Sequence, residues 1–302
     1  MVDPIEIGCL GTLFGMNAAG YFTDAIPLQV NMTVQALAII VLGAKRSVFE
    51  LMKEFKKIHV DKKAHVEGEG IETMSKEDVI LFPLYAGGTL CALYGLIKFF
   101  GKEVVNPLLL GYMALGGSVS IRSLLGSLGI PALDKLEEKK LFHLKIAALD
   151  LDEEITPLSL LSLAISGIMV AIYIITKSWI YNNILAIMLS INAIQMIFLG
   201  NFKNGFMMLT ALFFYDIFFV FGTDVMLTVA KSIDAPIKIL FPTDYSVDPP
   251  KFSLLGLGDI VIPGIFMAMC LRYDILRSLN VNNVNKLSEA GKADEVLDML
   301  KR

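Results

Sequence analysis

Apolar residues are grouped along this chain in long blocks separated by charged segments, and the blocks predict membrane-spanning helices. Five windows contain no charged residue, two more contain a single acid each, and all seven are 18 to 25 residues long. A helix that rises 1.5 Å per residue needs about 20 predominantly apolar residues to cross the hydrocarbon core. The predicted spans are residues 25–44, 79–97, 104–121, 155–176, 178–202, 204–223 and 252–271. The sequence therefore predicts an all-α, polytopic transmembrane helical bundle with seven visible spans.

Local signals support the start of the fourth span and leave one further segment open. Thr156 and Pro157 offer an N-cap and a first-turn proline at the start of the fourth span. The stretch from Ile7 to Thr23 is uncharged but is diluted by glycines and by Asn17, so whether it crosses the membrane is left open.

The composition indicates a membrane protein, although the length alone would suggest soluble domains. A chain of 302 residues would ordinarily hold about two soluble domains, but 55% hydrophobic residues and a mean hydropathy of +0.64 are typical of a membrane protein. The formal net charge of −4 gives no basic signature for nucleic acid. We expect the lipid bilayer, and no nucleic acid, as a partner.

Cysteine and histidine exclude several classes of chemistry. The three cysteines are too few and too scattered for a disulfide framework, and no Cys-x-x-Cys or His-Glu-x-x-His arrangement offers a metal site. All three histidines fall in polar segments, whereas zinc-dependent or serine-dependent hydrolysis inside a membrane needs a histidine there. We expect no metal and no cofactor.

The distribution of basic residues predicts the orientation. Lys and Arg on alternate sides of seven spans divide 20 to 6, and the richer side includes the C-terminal tail. This places the C-terminus in the cytosol and the N-terminus in a lumen. We expect a luminal N-terminal segment, spans one to five with cytosolic loops, spans six and seven around a luminal loop at 223–251, and a polar cytosolic tail: residues 1–24, 25–201, 202–274 and 275–302.

Two acids inside the spans are the strongest indication of function. Asp216 lies in the sixth span and Asp259 in the seventh, and no basic residue shares their depth. A carboxylate at the bilayer centre costs roughly 2.5–3.5 kcal/mol on insertion scales, so such a residue is presumed functional. Each acid lies seven residues from the predicted outer end of its span, so two antiparallel neighbours would bring both acids to one depth.

Paired carboxylates suit peptide hydrolysis. Two such groups a few ångströms apart share one proton, so one can activate water while the other donates a hydrogen bond to the carbonyl oxygen. Gly256 and Gly258 precede Asp259 and would allow an unwound substrate to approach by strand-like pairing. The residues alone leave open a proton relay in a transporter or a structural carboxylate, and the two glycines also fit tight helix packing.

Two sequence runs carry a family resemblance. The first runs from Tyr215 to Thr223 (YDIFFVFGT) and continues through Ala235-Pro236-Ile237-Lys238 to Phe241-Pro242; the second is Leu255 to Gly264 (LGLGDIVIPG). Both resemble signal peptide peptidase, in the presenilin-type family of intramembrane aspartyl proteases. The resemblance extends over most of residues 25–274.

The resemblance implies a site and a substrate class. It makes Asp216 and Asp259 the catalytic pair, with Tyr215, Gly256, Leu257 and Gly258 as substrate-binding residues. It implies cleavage of signal-peptide remnants and other type II membrane segments in the endoplasmic reticulum membrane, and a homo-oligomer is possible.

The same resemblance implies two spans beyond the visible seven. The family has nine spans, of which the last carries a Pro-Ala-Leu motif beside the active site, and we expect both final spans to be absent from residues 1–302. Pro131-Ala132-Leu133 spells the motif but precedes both acids in a polar loop, and we interpret it as coincidence. The alternatives to an intramembrane protease are a catalytically incomplete scaffold that binds membrane helices and a proton-coupled transporter.

Overall fold

The computed structural model of the chain describes nearly all of the predicted membrane region. The described residues are 4–19, 27–63, 73–127, 133, 135–136, 142–146, 151–244 and 251–278. Several predictions lie outside them: the cytosolic tail beyond residue 278, Pro131 and Ala132 of the Pro-Ala-Leu run, and residues 245–250 of the luminal loop.

Helices account for most of the described chain. In chain order they are α1 (Pro4–Ala19), α2 (Leu28–Lys63), α3 (Lys76–Phe100), α4 (Lys102–Ser127), α5 (Pro157–Thr176), α6 (Trp179–Met196), α7 (Phe202–Asp216), α8 (Val225–Ser232) and α9 (Leu257–Ser278). A π-helix, Ile217–Phe221, continues α7 directly.

Two antiparallel hairpins, which the sequence pattern did not predict, accompany the helices. The first joins β1 (Phe142–Ile146) to β2 (Leu151–Ile155), and the second joins β3 (Lys238–Asp244) to β4 (Lys251–Gly256). The second hairpin leads straight into α9 and therefore bears on the site.

The predicted fold class is confirmed: the chain is a multi-pass, helical membrane protein. Within the described residues, five helical segments are long and apolar enough to cross a membrane, and they match the first, second, third, fourth and sixth predicted spans. The total of seven stays a prediction. These segments are Leu28–Met52, Lys76–Phe100, Lys102–Gly126, Pro157–Thr176 and Phe202–Phe221.

The predicted fifth and seventh spans differ from uniform apolar helices for separate reasons. The fifth corresponds to α6, which has 18 residues and carries polar side chains such as Asn182 and Gln195. The seventh was predicted as a helix from Phe252, but Phe252 to Gly256 form strand β4 and the helix begins at Leu257. Cross-strand bonds to β3 pair the inward-facing backbone groups of this run in place of the bonds of a first helical turn.

Helix starts follow the predicted capping chemistry. Thr156 caps α5, its hydroxyl accepting the Ser159 amide at 3.2 Å, with Pro157 in the first turn. Ser75 forms a reciprocal capping box with Asp78 at the start of α3. Both boxes satisfy amide groups that have no partner within the helix.

In the core, two glycines pack against the side chain of one isoleucine. Ile194 of α6 is fully buried between α2 and α9. A Cβ placed on Gly43 of α2 would lie 2.8 Å from Cβ of Ile194, and one on Gly264 of α9 would lie 2.5 Å from its Cδ1. Glycines at these two positions let three helices approach closely, as is common in membrane bundles.

Helix α1 lies antiparallel along α2. In its first turn Glu6 forms a part-buried ion pair with Arg46, whose Nε donates to Oε1 at 2.9 Å. In its last turn Asn17 is buried against Asn183 of α6. Glu6 and Asn17 are 11 residues apart, so the two contacts lie about 16 Å apart along α1.

Candidate active site

Asp216 is the last residue of helix α7, at the junction with the π-helix. Short π-helical insertions change the direction in which side chains project and occur frequently at functional sites. Asp216 is exposed, and so are the rings of Phe214, Phe218 and Phe221 around it. The acid therefore stands on an apolar, aromatic face that is open to lipid or to an apolar ligand.

Tyr215 is anchored against a neighbouring helix. Its ring packs on that of Phe219 with centroids 4.7 Å apart. Both rings rest on Gly87 of α3, where an added Cβ would lie 3.0 Å from Cε2 of Phe219 and 3.6 Å from Cε2 of Tyr215. The absent side chain at Gly87 thus leaves room for the residue that precedes Asp216.

Asp259 lies in the first turn of α9, immediately after strand β4. The Leu257 amide donates to the carbonyl oxygen of Ile237 at 3.2 Å, so strand pairing continues to the first residue of the helix. Oδ2 of Asp259 turns back toward the strand and lies 3.3 Å from where a Cβ of Gly256 would be. The end of β4 and the carboxyl group of Asp259 are therefore in immediate proximity.

The other two predicted binding residues complete this junction. Leu257 is half-buried and packs against the core between α2, α6 and α9. Gly258 is exposed, and a Cβ there would meet only Cδ1 of Ile262, at 3.9 Å. All four residues from Gly256 to Asp259 thus occupy one strand-to-helix turn.

Antiparallel packing of α7 and α9 brings the two acids toward one level. Near the start of α7, a Cβ on Gly205 would lie 2.7 Å from Cδ2 of Phe266 and 3.1 Å from Cε of Met269. Asp216 lies 11 residues beyond Gly205, and Asp259 lies 7 and 10 residues before those two contacts. At 1.5 Å per residue the acids fall within about 6 Å of the same height.

Strand register shows which backbone groups of the second hairpin are available. Leu240 lies opposite Leu254, and Lys238 lies opposite Gly256. The carbonyls of Lys238 and Leu240 bond to asparagines of α6, so they face away from β4. In an antiparallel ladder, the backbone groups of the two residues directly opposite them also point away from the partner strand. Leu254 therefore presents its N–H and C=O groups on the outer edge of β4, and Gly256 presents its N–H there, because its C=O precedes the first turn of α9.

Pro242 fits the same register. It lies opposite Phe252, two residues beyond Leu240, on the outward-facing set of β3. A proline there removes no bond from the ladder to β4, because its missing N–H would point away from that strand. The hairpin thus accommodates the Phe241-Pro242 sequence without losing a cross-strand hydrogen bond.

Lys238, the first residue of β3, attaches the hairpin to the C-terminal end of α8. Nζ of Lys238 donates to the carbonyl oxygens of Ala230, at 2.6 Å, and Ile233, at 3.2 Å. It thereby satisfies carbonyls at the C-terminal end of α8. Burial lowers the pKa of the Lys238 ammonium from its ordinary value, and the nearby Asp234 opposes that effect.

The hairpin and its attachment to α6 are what the sequence pattern missed. Asn182 and Asn183 lie side by side in an uncharged, predominantly apolar window. Two adjacent asparagines, 1% and 0% exposed, require buried partners. That requirement was the available signal for a polar contact at this level.

Comparison with known proteins gives one consistent result. The family model described as signal peptide peptidase matches residues 66–287. The signal peptide peptidases of Mus musculus and Homo sapiens are 37% and 36% identical over 221 residues, 70% of this chain. A probable intramembrane protease of Schizosaccharomyces pombe is 32% identical over 253 residues, covering 83% of this chain and 70% of that protein.

The aligned part of the chain covers 58% and 59% of the mouse and human proteins. No solved structure matches the chain significantly.

Proposed function

Since the chain belongs to the signal peptide peptidase family, we propose that it is an intramembrane aspartyl protease whose catalytic pair is Asp216 and Asp259. One observation carries the assignment. The antiparallel packing of α7 on α9 directs two acids to one level, and one of them lies beside the open edge of a strand.

The chemistry follows from two carboxyl groups that share a proton. The ionised member accepts a proton from water as the water oxygen attacks the scissile carbonyl, and the protonated member donates a hydrogen bond to the carbonyl oxygen. Collapse of the tetrahedral intermediate breaks the C–N bond, and a proton passes to the leaving amine. The exposed positions of Asp216 and Asp259 are consistent with access for water.

We assign substrate binding to the strand-to-helix turn and to Tyr215. A helical substrate hides its peptide bonds, so a segment must unwind before it is cut. The unwound segment can add as a third strand along β4, where Leu254 and Gly256 offer backbone groups. Gly256 is the outward-facing residue nearest Asp259, so a peptide paired with it would lie beside the carboxyl group.

We infer the substrate class and the cellular location from the named relatives. Mouse and human proteins that carry the name signal peptide peptidase support cleavage of signal-peptide remnants and other type II membrane segments. We place the protein in the endoplasmic reticulum membrane, with the C-terminus in the cytosol on the basis of the Lys and Arg distribution. Homo-oligomer formation stays a prediction.

The position of the N-terminus is a separate question. A luminal location for residues 1–24 stays a prediction. The ion pair of Glu6 with Arg46 puts the first turn of α1 at the level of the basic end of α2, and this favours the opposite side for that turn. Thiol labelling of Ile5→Cys, in protein whose Cys9, Cys91 and Cys270 are replaced by serine, distinguishes the two placements in sealed microsomes before and after permeabilisation.

The test uses the purified full chain in liposomes with a type II membrane peptide. Asp216→Asn and Asp259→Asn keep the size of each side chain but cannot accept the proton, so each is expected to abolish cleavage. Asp224→Asn is the matched control, because Asp224 is an exposed acid that follows α7 outside the proposed site. Cleavage near the parent rate in either dyad variant contradicts the assignment.

Two further outcomes identify the alternatives. A parent protein that binds the peptide without cutting it behaves as a scaffold. Flux that depends on a proton gradient, without proteolysis, identifies a transporter.

A further inference from the structure

Asn183 holds strand β3 on the side opposite β4. Its Nδ2 donates to the carbonyl oxygen of Leu240 at 2.8 Å, and its Oδ1 accepts the Leu240 amide at 2.8 Å. One edge of a side-chain amide presents an N–H donor beside a carbonyl acceptor, in the arrangement of a peptide group. Asn183 therefore acts toward Leu240 as a neighbouring strand would, although it belongs to helix α6.

Two more asparagines extend this contact. Nδ2 of Asn182 donates to the carbonyl oxygen of Lys238 at 2.7 Å, two residues earlier on β3. Nδ2 of Asn183 also donates to Oδ1 of Asn17 in α1 at 3.0 Å. We call Asn182 and Asn183 the amide clamp.

Because the amide clamp is buried, it accepts only one register of strand β3. Asn183 is fully buried and Asn182 is 1% exposed, so water cannot replace a lost partner. A shift of β3 by one residue would present groups that point toward β4 and would leave buried amide groups of the clamp unpaired. The clamp thus fixes which residues of β3 face α6.

The fixed register is transmitted to the proposed site through one hairpin. Leu240 lies opposite Leu254 on β4, and Lys238 lies opposite Gly256, where an added Cβ would lie 3.3 Å from Oδ2 of Asp259. The residues held by the clamp are therefore cross-strand neighbours of the two residues that offer their outer edge to a substrate. Helix α6, which carries the clamp, also packs directly on α9.

We propose that Asn183, assisted by Asn182, is a positioning residue that sets the register in which an unwound substrate lies against Asp259. This inference rests on the proposed protease function. Neither asparagine contacts the reacting atoms; each acts by holding the strand pair on which the substrate lies. The clamp would thereby determine which peptide bond is cut.

The first experiment compares cleavage positions rather than activity alone. Asn183→Leu keeps the side-chain size and removes both hydrogen bonds to Leu240. The control is Asn192→Leu, the same change on the same helix at a residue whose amide donates to Sδ of Met196 and has no bond to the hairpin. Products from one membrane peptide are identified by mass spectrometry, and kcat and KM are measured separately.

We expect the parent and Asn192→Leu to cut predominantly the same bond. Asn183→Leu is expected to spread its products over neighbouring bonds and to lower kcat about 10- to 100-fold, because a misplacement of about 1 Å is enough for such a loss. Asn182→Leu, which removes one bond to β3, is expected to show a smaller spread. A merely structural defect would lower the amount of active protein without moving the cleavage position.

The second experiment does not depend on catalysis. Hydrogen exchange is followed in peptides that cover residues 238–244, with attention to the Leu240 amide that Asn183 accepts. Exchange at least tenfold faster in Asn183→Leu than in the parent and Asn192→Leu supports the clamp; equal exchange in all three overturns it.

The two experiments separate two failures. If the parent does not cleave, the protease proposal fails and hydrogen exchange alone decides on the clamp. If the parent cleaves and Asn183→Leu gives the parent's product pattern, the protease proposal stands and the positioning role is refuted.

Discussion

Oδ2 of Asp259 lies 3.3 Å from the point that a Cβ on Gly256 would occupy. That separation is tighter than an ordinary van der Waals contact between these atoms. The carboxyl group and the last residue of strand β4 are therefore coupled sterically, and any side chain at residue 256 acts on Asp259 directly.

Gly256→Ala is the simplest test of this coupling. The methyl group would press on Oδ2 and crowd the outer edge of β4, so we expect kcat to fall about 10- to 100-fold. Gly167→Ala is the control, because a Cβ at this exposed position of α5 meets nothing within 4 Å; it should retain activity and stabilise the helix by about 0.5–1 kcal/mol. Equal kcat values for the two variants contradict the coupling.

Adjacent glycines on α3 provide a second matched pair. Gly87 lies under the rings of Phe219 and Tyr215, whereas a Cβ on Gly88 meets nothing within 4 Å. Gly87→Ala should displace Phe219 and, through it, Tyr215 and the neighbouring Asp216, at a cost typical of overpacking, about 1–3 kcal/mol. Thermal unfolding followed by the fluorescence of the single tryptophan, Trp179, should show a lower Tm for Gly87→Ala only.

Measuring kcat provides a second test of the variants Gly87→Ala and Gly88→Ala. We expect Gly87→Ala to lose at least about tenfold in kcat, since Asp216 directly follows the displaced tyrosine. If Gly88→Ala is affected as strongly, general disturbance of α3 explains the loss and the packing of Tyr215 does not.

The apolar pattern predicted the helices whose composition is unambiguous. Five predicted spans match helices of sufficient length and apolarity, and their windows contain almost no charged side chains. Helix α6 is different, since Asn182, Asn183 and Gln195 form buried hydrogen bonds with other elements of the protein. Polar residues that serve tertiary contacts lower the hydropathy on which span prediction depends.

Strand β4 could not be predicted from its own residues. Phe252 to Gly256 are uncharged and continuous with the helix that follows, and a short apolar run does not distinguish strand from helix by periodicity. What decides is pairing with β3, a tertiary contact. The catalytic assignment of Asp216 and Asp259 stays a prediction, although the packing of α7 on α9 is consistent with the common depth expected from the sequence.

The close approach at Ile194 yields a prediction of coupling between two helices. Gly264→Ala would put a Cβ 2.5 Å from Cδ1 of Ile194, so we expect a loss of about 1–3 kcal/mol. Ile194→Val removes Cδ1 and alone should cost about 0.5–1.5 kcal/mol. The double variant should be more stable than the sum of the single losses predicts.

Unfolding free energies of the four proteins measure this coupling. We expect a coupling energy of about 0.5–3 kcal/mol in the direction of rescue. Strictly additive losses would mean that residue 264 does not meet Ile194 as the structure shows.

The ion pair between Glu6 and Arg46 tests the position of helix α1. The two side chains are 13% and 8% exposed, so removing one partner leaves a charge in a poorly solvated place. Glu6→Leu should therefore destabilise the protein by about 3–5 kcal/mol. The double variant Glu6→Leu with Arg46→Met removes both charges and should recover most of that loss, because a buried pair contributes little net stability compared with apolar residues of similar size. Thermal unfolding in the same detergent distinguishes the outcomes: a double variant no more stable than Glu6→Leu would mean that α1 does not pack along α2 through this pair.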